Sequence, residues 1–177
     1  RVDSSTGAFA TIQRAIDECL GLDMNGQAVT IQVRSGTFVG FRVTLPFFGG
    51  TPTVQGDLTT PGNVILTASG NACIAVSGAG VAVKVGGFKC TSASYGVRVE
   101  SRGYVNVLDK MEYGTGLSVH ISASNGTIDH GSNYTISGGG AMHYGADTGG
   151  IINCNNGTVT IGAAVTFTSG FINISSC

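Results

Sequence analysis

Gly96-Val-Arg-Val99, Tyr104-Val-Asn-Val107 and Met111-Glu-Tyr113 are three short alternating segments in a row, parted by Ser, Arg, Gly, Leu, Asp and Lys. The same trio recurs in order. The first member returns as Cys73–Val76, Gly116–Val119, Gly140–His143 and Gly170–Ile174. The second returns as Val81–Val85, Thr127–His130 and Thr158–Ile161, and the third as Phe88–Cys90, Tyr134–Ile136 and Val165–Phe167. Copies lie about 20–24 residues apart, with Gly145 to Gly150 expected to lengthen one turn to about 30. A period of this size marks a solenoid, in which one rung cannot bury its apolar face but a stack of rungs can. Alternation sends Val97, Val99, Val105, Val107, Met111 and Tyr113 inward, and Arg98, Glu100, Asn106 and Glu112 outward. An antiparallel sandwich would have strands of this length but no recurring three-strand order. The pattern predicts an all-β chain, a single-stranded parallel β-helix with three strands per coil, right-handed by the crossover rule.

The composition agrees. Glycine makes up 29 of 177 residues, charged residues are only 11%, and tryptophan is absent. A hydrophobic content of 42% is too high for a disordered chain. The glycines keep no three-residue period and proline numbers only 3, which excludes collagen. So many glycines would also destabilise a helical bundle, at about 1 kcal/mol for each interior position. A net charge of −1 provides no basic stripe for nucleic acid. No apolar run approaches the roughly 20 residues of a membrane span.

One segment reads as helix. From Phe9 to Leu20 the apolar residues keep helical spacing, with Ser4, Ser5 or Thr6 as N-cap and Gly21 as C-cap. Its Gln13, Arg14 and Asp17 are expected to face solvent. Residues 1–28 are therefore an opening segment with a capping helix, and residues 29–177 the coil, within one domain. Before the repeat, strands are expected at Val29–Val33, Phe38–Val43 and Asn63–Thr67. Five scattered cysteines (Cys19, Cys73, Cys90, Cys154 and Cys177) have no zinc spacing and leave at least one thiol unpaired, so buried free thiols are expected. No metal and no cofactor is expected. The chain begins with Arg1 and stops mid-pattern at Cys177. Further chain, a partner subunit or a trimer contact is expected to cover that end.

The opening from Arg1 through Phe9-Ala-Thr-Ile-Gln-Arg-Ala-Ile-Asp17, then Val29-Thr-Ile-Gln-Val-Arg-Ser-Gly-Thr-Phe38, resembles that of the pectin-lyase-like β-helix superfamily. There a short helix caps the coil and a Gly-Thr-aromatic turn opens it. Pro52-Thr-Val-Gln-Gly-Asp57 is similar to its next step. The resemblance spans pectin methylesterases, pectate lyases and phage tailspike or tail-fibre proteins, but the enzyme motifs are missing. Its phage branch implies a stiff rod, commonly trimeric, that binds or cleaves a cell-surface polysaccharide. Localisation to a virion tail, or to the outside of a cell, would follow.

Glycan hydrolysis needs two carboxylates about 5–9.5 Å apart, and neighbouring rungs supply outward positions one strand spacing apart. The sequence register sets Glu100 near His120, with Arg98 on the same face, and Asn106 near Asp129. Glu112 points out of the third strand. Glu100, Asp129 and Glu112 are thus a candidate acid–base set with His120 as proton partner. The same charges are equally ordinary cross-strand pairs, worth roughly 0.2–1 kcal/mol each. His130 and His143 fall at inward positions. Tyr95, Tyr104, Tyr144 and the loop residues Phe47 and Phe48 are candidates to stack on sugars or a partner, with Arg98 beside them; plain burial is the competing reading. The Asn-x-Ser/Thr matches at Asn125, Asn133, Asn156 and Asn173 read as rung corners. The leading expectation is a structural or receptor-binding β-helix of a phage or phage-like tail. The alternatives are a polysaccharide lyase, hydrolase or esterase of the same fold, and a bacterial surface adhesin module.

Overall fold

The computed structural model describes residues 8–68, 70–154 and 158–162. It is an all-parallel three-sheet β-solenoid of about six coils. A helix α1 (Ile12–Leu20) precedes the first coil, which holds β1 (Thr30–Gln32), β2 (Gly36–Val39) and β3 (Phe41–Val43). The second holds β4 (Thr53–Gln55), β5 (Val64–Thr67) and β6 (Ala72–Ser77). The third holds β7 (Ala82–Gly86), β8 (Lys89–Cys90) and β9 (Tyr95–Glu100). The fourth holds β10 (Tyr104–Val107), β11 (Met111–Tyr113) and β12 (Val119–Ser124). The fifth holds β13 (Thr127–His130), β14 (Tyr134–Ile136) and β15 (Met142–Asp147), and β16 (Ile151–Asn153) and β17 (Val159–Ile161) follow. Every third strand stacks in one sheet. Sheet A runs β1-β4-β7-β10-β13-β16, sheet B runs β2-β5-β8-β11-β14-β17, and sheet C runs β3-β6-β9-β12-β15.

Stacking in register builds interior columns of like residues. Val105 lies between Val83 and Ile128, and Val97 between Ile74 and Ile121. All six have no exposed surface. Each such side chain contributes roughly 1.5–3 kcal/mol by burial, which a single coil without neighbours above and below could not provide. The inward set predicted for Val97 to Tyr113 is buried, and its outward partners are half-buried.

The helix begins later than its sequence pattern suggests. Thr11 is the N-cap, accepting the Arg14 N–H at 3.2 Å, while Ser4, Ser5 and Thr6 lie outside the described residues. Ile12, Ala15, Ile16 and Cys19 cover the first coil, and Gly21 is the C-cap as expected. Gln13 is not simply solvated. Its amide accepts the Arg42 N–H at 2.8 Å and donates to the Arg42 carbonyl at 3.0 Å. It thereby gives β3, the end strand of its sheet among the described residues, hydrogen bonds of the kind a neighbouring strand would make.

Four strand placements differ from the sequence reading. Phe38–Val43 is two strands in different sheets, broken at Gly40, where a Cβ would lie 2.0 Å from the Cys73 carbonyl oxygen. The strand expected at Gly116–Val119 starts at Val119, after a corner at Gly116 with φ +80°. That expected at Gly140–His143 starts at Met142. Thr158–Ile161 belongs to sheet B, because Ile151–Asn153 already fills the place in sheet A. The turn at Gly145 to Gly150 is therefore not lengthened: Gly145 lies within β15, and the corner is Thr148 to Gly150. The strands expected at Val165–Phe167 and Gly170–Ile174 lie outside the described residues. Cys19, Cys73 and Cys90 are buried free thiols and Cys154 is half-buried and free; Cys177 lies outside the described residues. Among the described residues no helix is long and apolar enough to cross a membrane.

Candidate functional site: the outer face of sheet C

Three outward rows cross sheet C. The first aligns Ala72, Tyr95, Val119 and Met142. The second aligns Arg42, Ala75, Arg98, Ser122 and Gly145, and the third Ser77, Glu100, Ser124 and Asp147. Arg98 lies 4.5 Å from the centre of the Tyr95 ring and pairs with Glu100 at 2.6 Å, Nη2 to Oε1. Arg42 reaches the other oxygen of Glu100 at 4.0 Å. Beside this cluster a half-enclosed pocket of about 200 Å³ lies among Tyr95, Val119, Ser122, Met142, Tyr144, Gly145, Ala146 and Asp147. The arrangement combines an aromatic ring, apolar walls and charged hydrogen-bonding groups, the usual makings of a small-molecule site.

Beneath this face lies a polar interior. His120 and the next residue Ile121 are both fully buried, and His143 and Tyr144 are 4% and 5% exposed. Strict alternation fails there, and two successive side chains turn inward. The imidazoles share a hydrogen bond, His120 Nδ1 to His143 Nδ1 at 3.0 Å. His143 Nε2 bonds the Tyr134 hydroxyl at 2.8 Å, and the hydroxyls of Tyr134 and Tyr144 bond each other. Tyr113 bonds His130 Nε2 at 2.9 Å and stacks on His120, with centroids 5.5 Å apart and planes 7° apart. Gly96 makes room for that stack: a Cβ there would lie 3.0 Å from the Tyr113 ring. Burial pushes His120 and His130 down to about 4, and burial with the neighbouring imidazoles pushes His143 down to about 2. All three are neutral core residues at neutral pH.

The candidate acids do not meet. Glu100 is on sheet C, Asp129 on sheet A and Glu112 on sheet B. Asp129 stacks beside Asn106 as predicted, accepts the Tyr104 hydroxyl at 2.5 Å and accepts the Asn153 amide at 2.6 Å. Burial first, then this carboxylate, pushes the Tyr104 phenol up to about 12. Glu112 pairs with Lys89 at 2.7 Å and accepts the Ser137 hydroxyl at 2.6 Å. Glu100 neighbours Ser77 and Ser124 in register, not His120, which lies opposite Gly96 inside the coil. The expected Glu100–His120 contact is thus replaced. The predicted register of β12 was short by several residues, and the true one turns the imidazole inward.

Among the aromatic candidates, Tyr144 is in the core rather than on the surface, and Phe47 is half-buried against the core. Phe48 is 71% exposed on a loop whose carbonyl accepts the Met24 N–H at 3.0 Å. The sequence reading did not name Arg42, Ser122, Met142, Gly145 or Asp147 as site residues. The correct rung register aligns Met142 with Tyr95, Arg42, Ser122 and Gly145 with Arg98, and Asp147 with Glu100.

A larger, shallower groove of about 720 Å³ runs past Gln32, Arg34, Gln55 and Asp57. Its polar groups are largely engaged. The Gln32 amide donates to the carbonyls of Gln55 and Gly56 at 3.1 and 3.0 Å. The Asp57 carboxylate is held below its ordinary range by the Thr60 N–H, the Asn63 amide and the Thr59 N–H. Among the described residues no group of three or more His, Cys, Asp or Glu converges as a metal site. The chain matches no family model, no curated protein and no solved structure.

Proposed function

We propose that this protein is a structural, glycan-binding β-helix of the phage-tail or tail-fibre type, acting as a rigid rod that presents sheet C to a cell-surface polysaccharide. The observation that carries the reading is the outer face of sheet C. There Tyr95 lines a pocket, with Arg98 against its ring and paired to Glu100, while the other two candidate acids are tied into hydrogen bonds on separate sheets. A stiff parallel stack holds such a face in fixed geometry, which lowers the ordering cost of binding. Assembly as a homotrimer, or with other virion subunits, is part of the proposal. Incubation with a polysaccharide panel, following binding, reducing ends and 235 nm absorbance together, tests it. Binding without turnover is expected. Robust turnover abolished by Glu100→Gln or Asp129→Asn would overturn the non-catalytic reading. Sedimentation tests assembly: a trimer is expected, and a clean monomer at micromolar concentration would contradict it.

One observation favours a glycosidase as the second reading. Glu100 and Asp147 share a row with Ser124 between them, two strand spacings or roughly 10 Å apart at the backbone. Inverting glycosidases hold their carboxyl groups about 6.5–9.5 Å apart. Turnover abolished by both Glu100→Gln and Asp147→Asn would establish this reading.

A further inference from the structure

We infer that the ligand of this face is an uncharged polysaccharide, one of whose sugar rings seats in the pocket between Tyr95 and Asp147. The inference rests on the glycan-binding reading and deepens it by naming the ligand class. The five strands of sheet C carry four charged side chains outside, Arg42 and Arg98 against Glu100 and Asp147. Glu100 bridges both arginines, and with Asp147 the four charges sum to zero. A polyanion gains its affinity from a surplus of cations and the counterions it releases. This face has no surplus.

It offers instead the mixture that hydroxyl groups need. The carboxylates of Glu100 and Asp147 accept, the guanidinium groups donate, and the hydroxyls of Ser122 and Ser124 do both. The Tyr95 ring, Val119 and Met142 give the pocket apolar walls for the C–H faces of a sugar ring. Gly145 keeps its floor open. Its φ lies outside the left-handed region, and an added Cβ would meet Val119 Cγ1 at 3.6 Å and Met142 Cε at 3.8 Å, ordinary contacts. Neither the backbone nor close packing therefore requires glycine, and its missing side chain leaves the space vacant. Ser122 continues the small-residue floor from Gly145 along the coil axis as far as Arg98. A polysaccharide lying along the axis would cross one rung about every 4.8 Å.

The test measures binding of the full chain to dextran, soluble starch, galactomannan and yeast mannan, with polygalacturonate and alginate as acidic probes. At least one neutral polymer should bind, with affinity changing less than about twofold between about 50 and 200 mM salt. Gly145→Leu and Tyr95→Ala should each weaken it by about tenfold or more, Asp147→Asn should weaken it without disturbing the fold, and Lys84→Ala on sheet A should not. Circular dichroism and thermal melts check that each variant is folded. Binding of acidic polymers alone, falling steeply with salt, would overturn the inference and leave the glycan-binding reading standing. Neutral binding indifferent to Asp147→Asn and Gly145→Leu would overturn the pocket assignment. Failure of every polymer to bind would overturn both.

Discussion

Acid should unfold this coil through its buried histidines. His120, His130 and His143 are held at about 4, about 4 and about 2, against an ordinary value near 6.5. A histidine held near 4 rather than 6.5 corresponds to about 3 kcal/mol between folded and unfolded chains. The sign follows from linkage. Below pH 6.5 the unfolded chain binds protons that the folded chain refuses, so the stability present above that pH is lost as pH falls towards the folded values. Each histidine steepens the loss by up to about 1.4 kcal/mol per pH unit, and three together by up to about 4. By about pH 4 the sum is comparable with the whole stability of a typical domain, 5–15 kcal/mol. Denaturant unfolding in steps from about pH 7 to 4, for the native chain and for His143→Asn and His130→Gln, reads the slope directly. The surface carboxylates are common to all three proteins, so the difference in slope isolates the imidazoles. A native chain equally stable at about pH 7 and 5, or a variant retaining the full slope, would refute the reasoning. So would imidazole resonances of the folded protein that titrate near their ordinary value.

Three further outcomes are expected. Gly40→Ala should cost about 3 kcal/mol or more, because its Cβ meets a backbone carbonyl at 2.0 Å, and a thermal melt unchanged from the native one would contradict the close approach. Gln13→Leu removes both hydrogen bonds to Arg42 and should cost about 1–2 kcal/mol, with faster hydrogen exchange at the Arg42 amide as its local signature. In the native state a thiol reagent should leave Cys73 and Cys90 unlabelled until the chain is unfolded, since both are fully buried and Cys73 donates to the Leu66 carbonyl at 3.3 Å. Rapid labelling of either would mean that the coil opens at that rung.

Sheets A and B were legible where apolar residues alternate around a polar one. Tyr104–Val107, Thr127–His130, Met111–Tyr113 and Tyr134–Ile136 form strands at the residues their pattern marks. The capping helix was legible from its apolar spacing, though not its first turn, because several Ser and Thr residues competed for the cap. Sheet C was harder. In Val119–Ser124 and Met142–Asp147 an outward first residue is followed by two inward ones in succession, one of them a histidine. A pattern that assigns polar residues to the outside therefore slides the strand. The Gly-x-x-Val likeness of Gly116–Val119 to Gly96–Val99 strengthened the wrong alignment.

The amino-acid sequence by itself determined that three short strands repeat in order and stack in parallel, because no rung buries its own apolar side and tight corners need glycine, serine and asparagine. Only the tertiary structure decided which residues share a row. Register along a solenoid depends on contacts between residues more than twenty positions apart, such as the backbone of His120 closing on Gly96 while its ring stacks on Tyr113. Those contacts drew His120 inside and aligned Asp147 with Glu100.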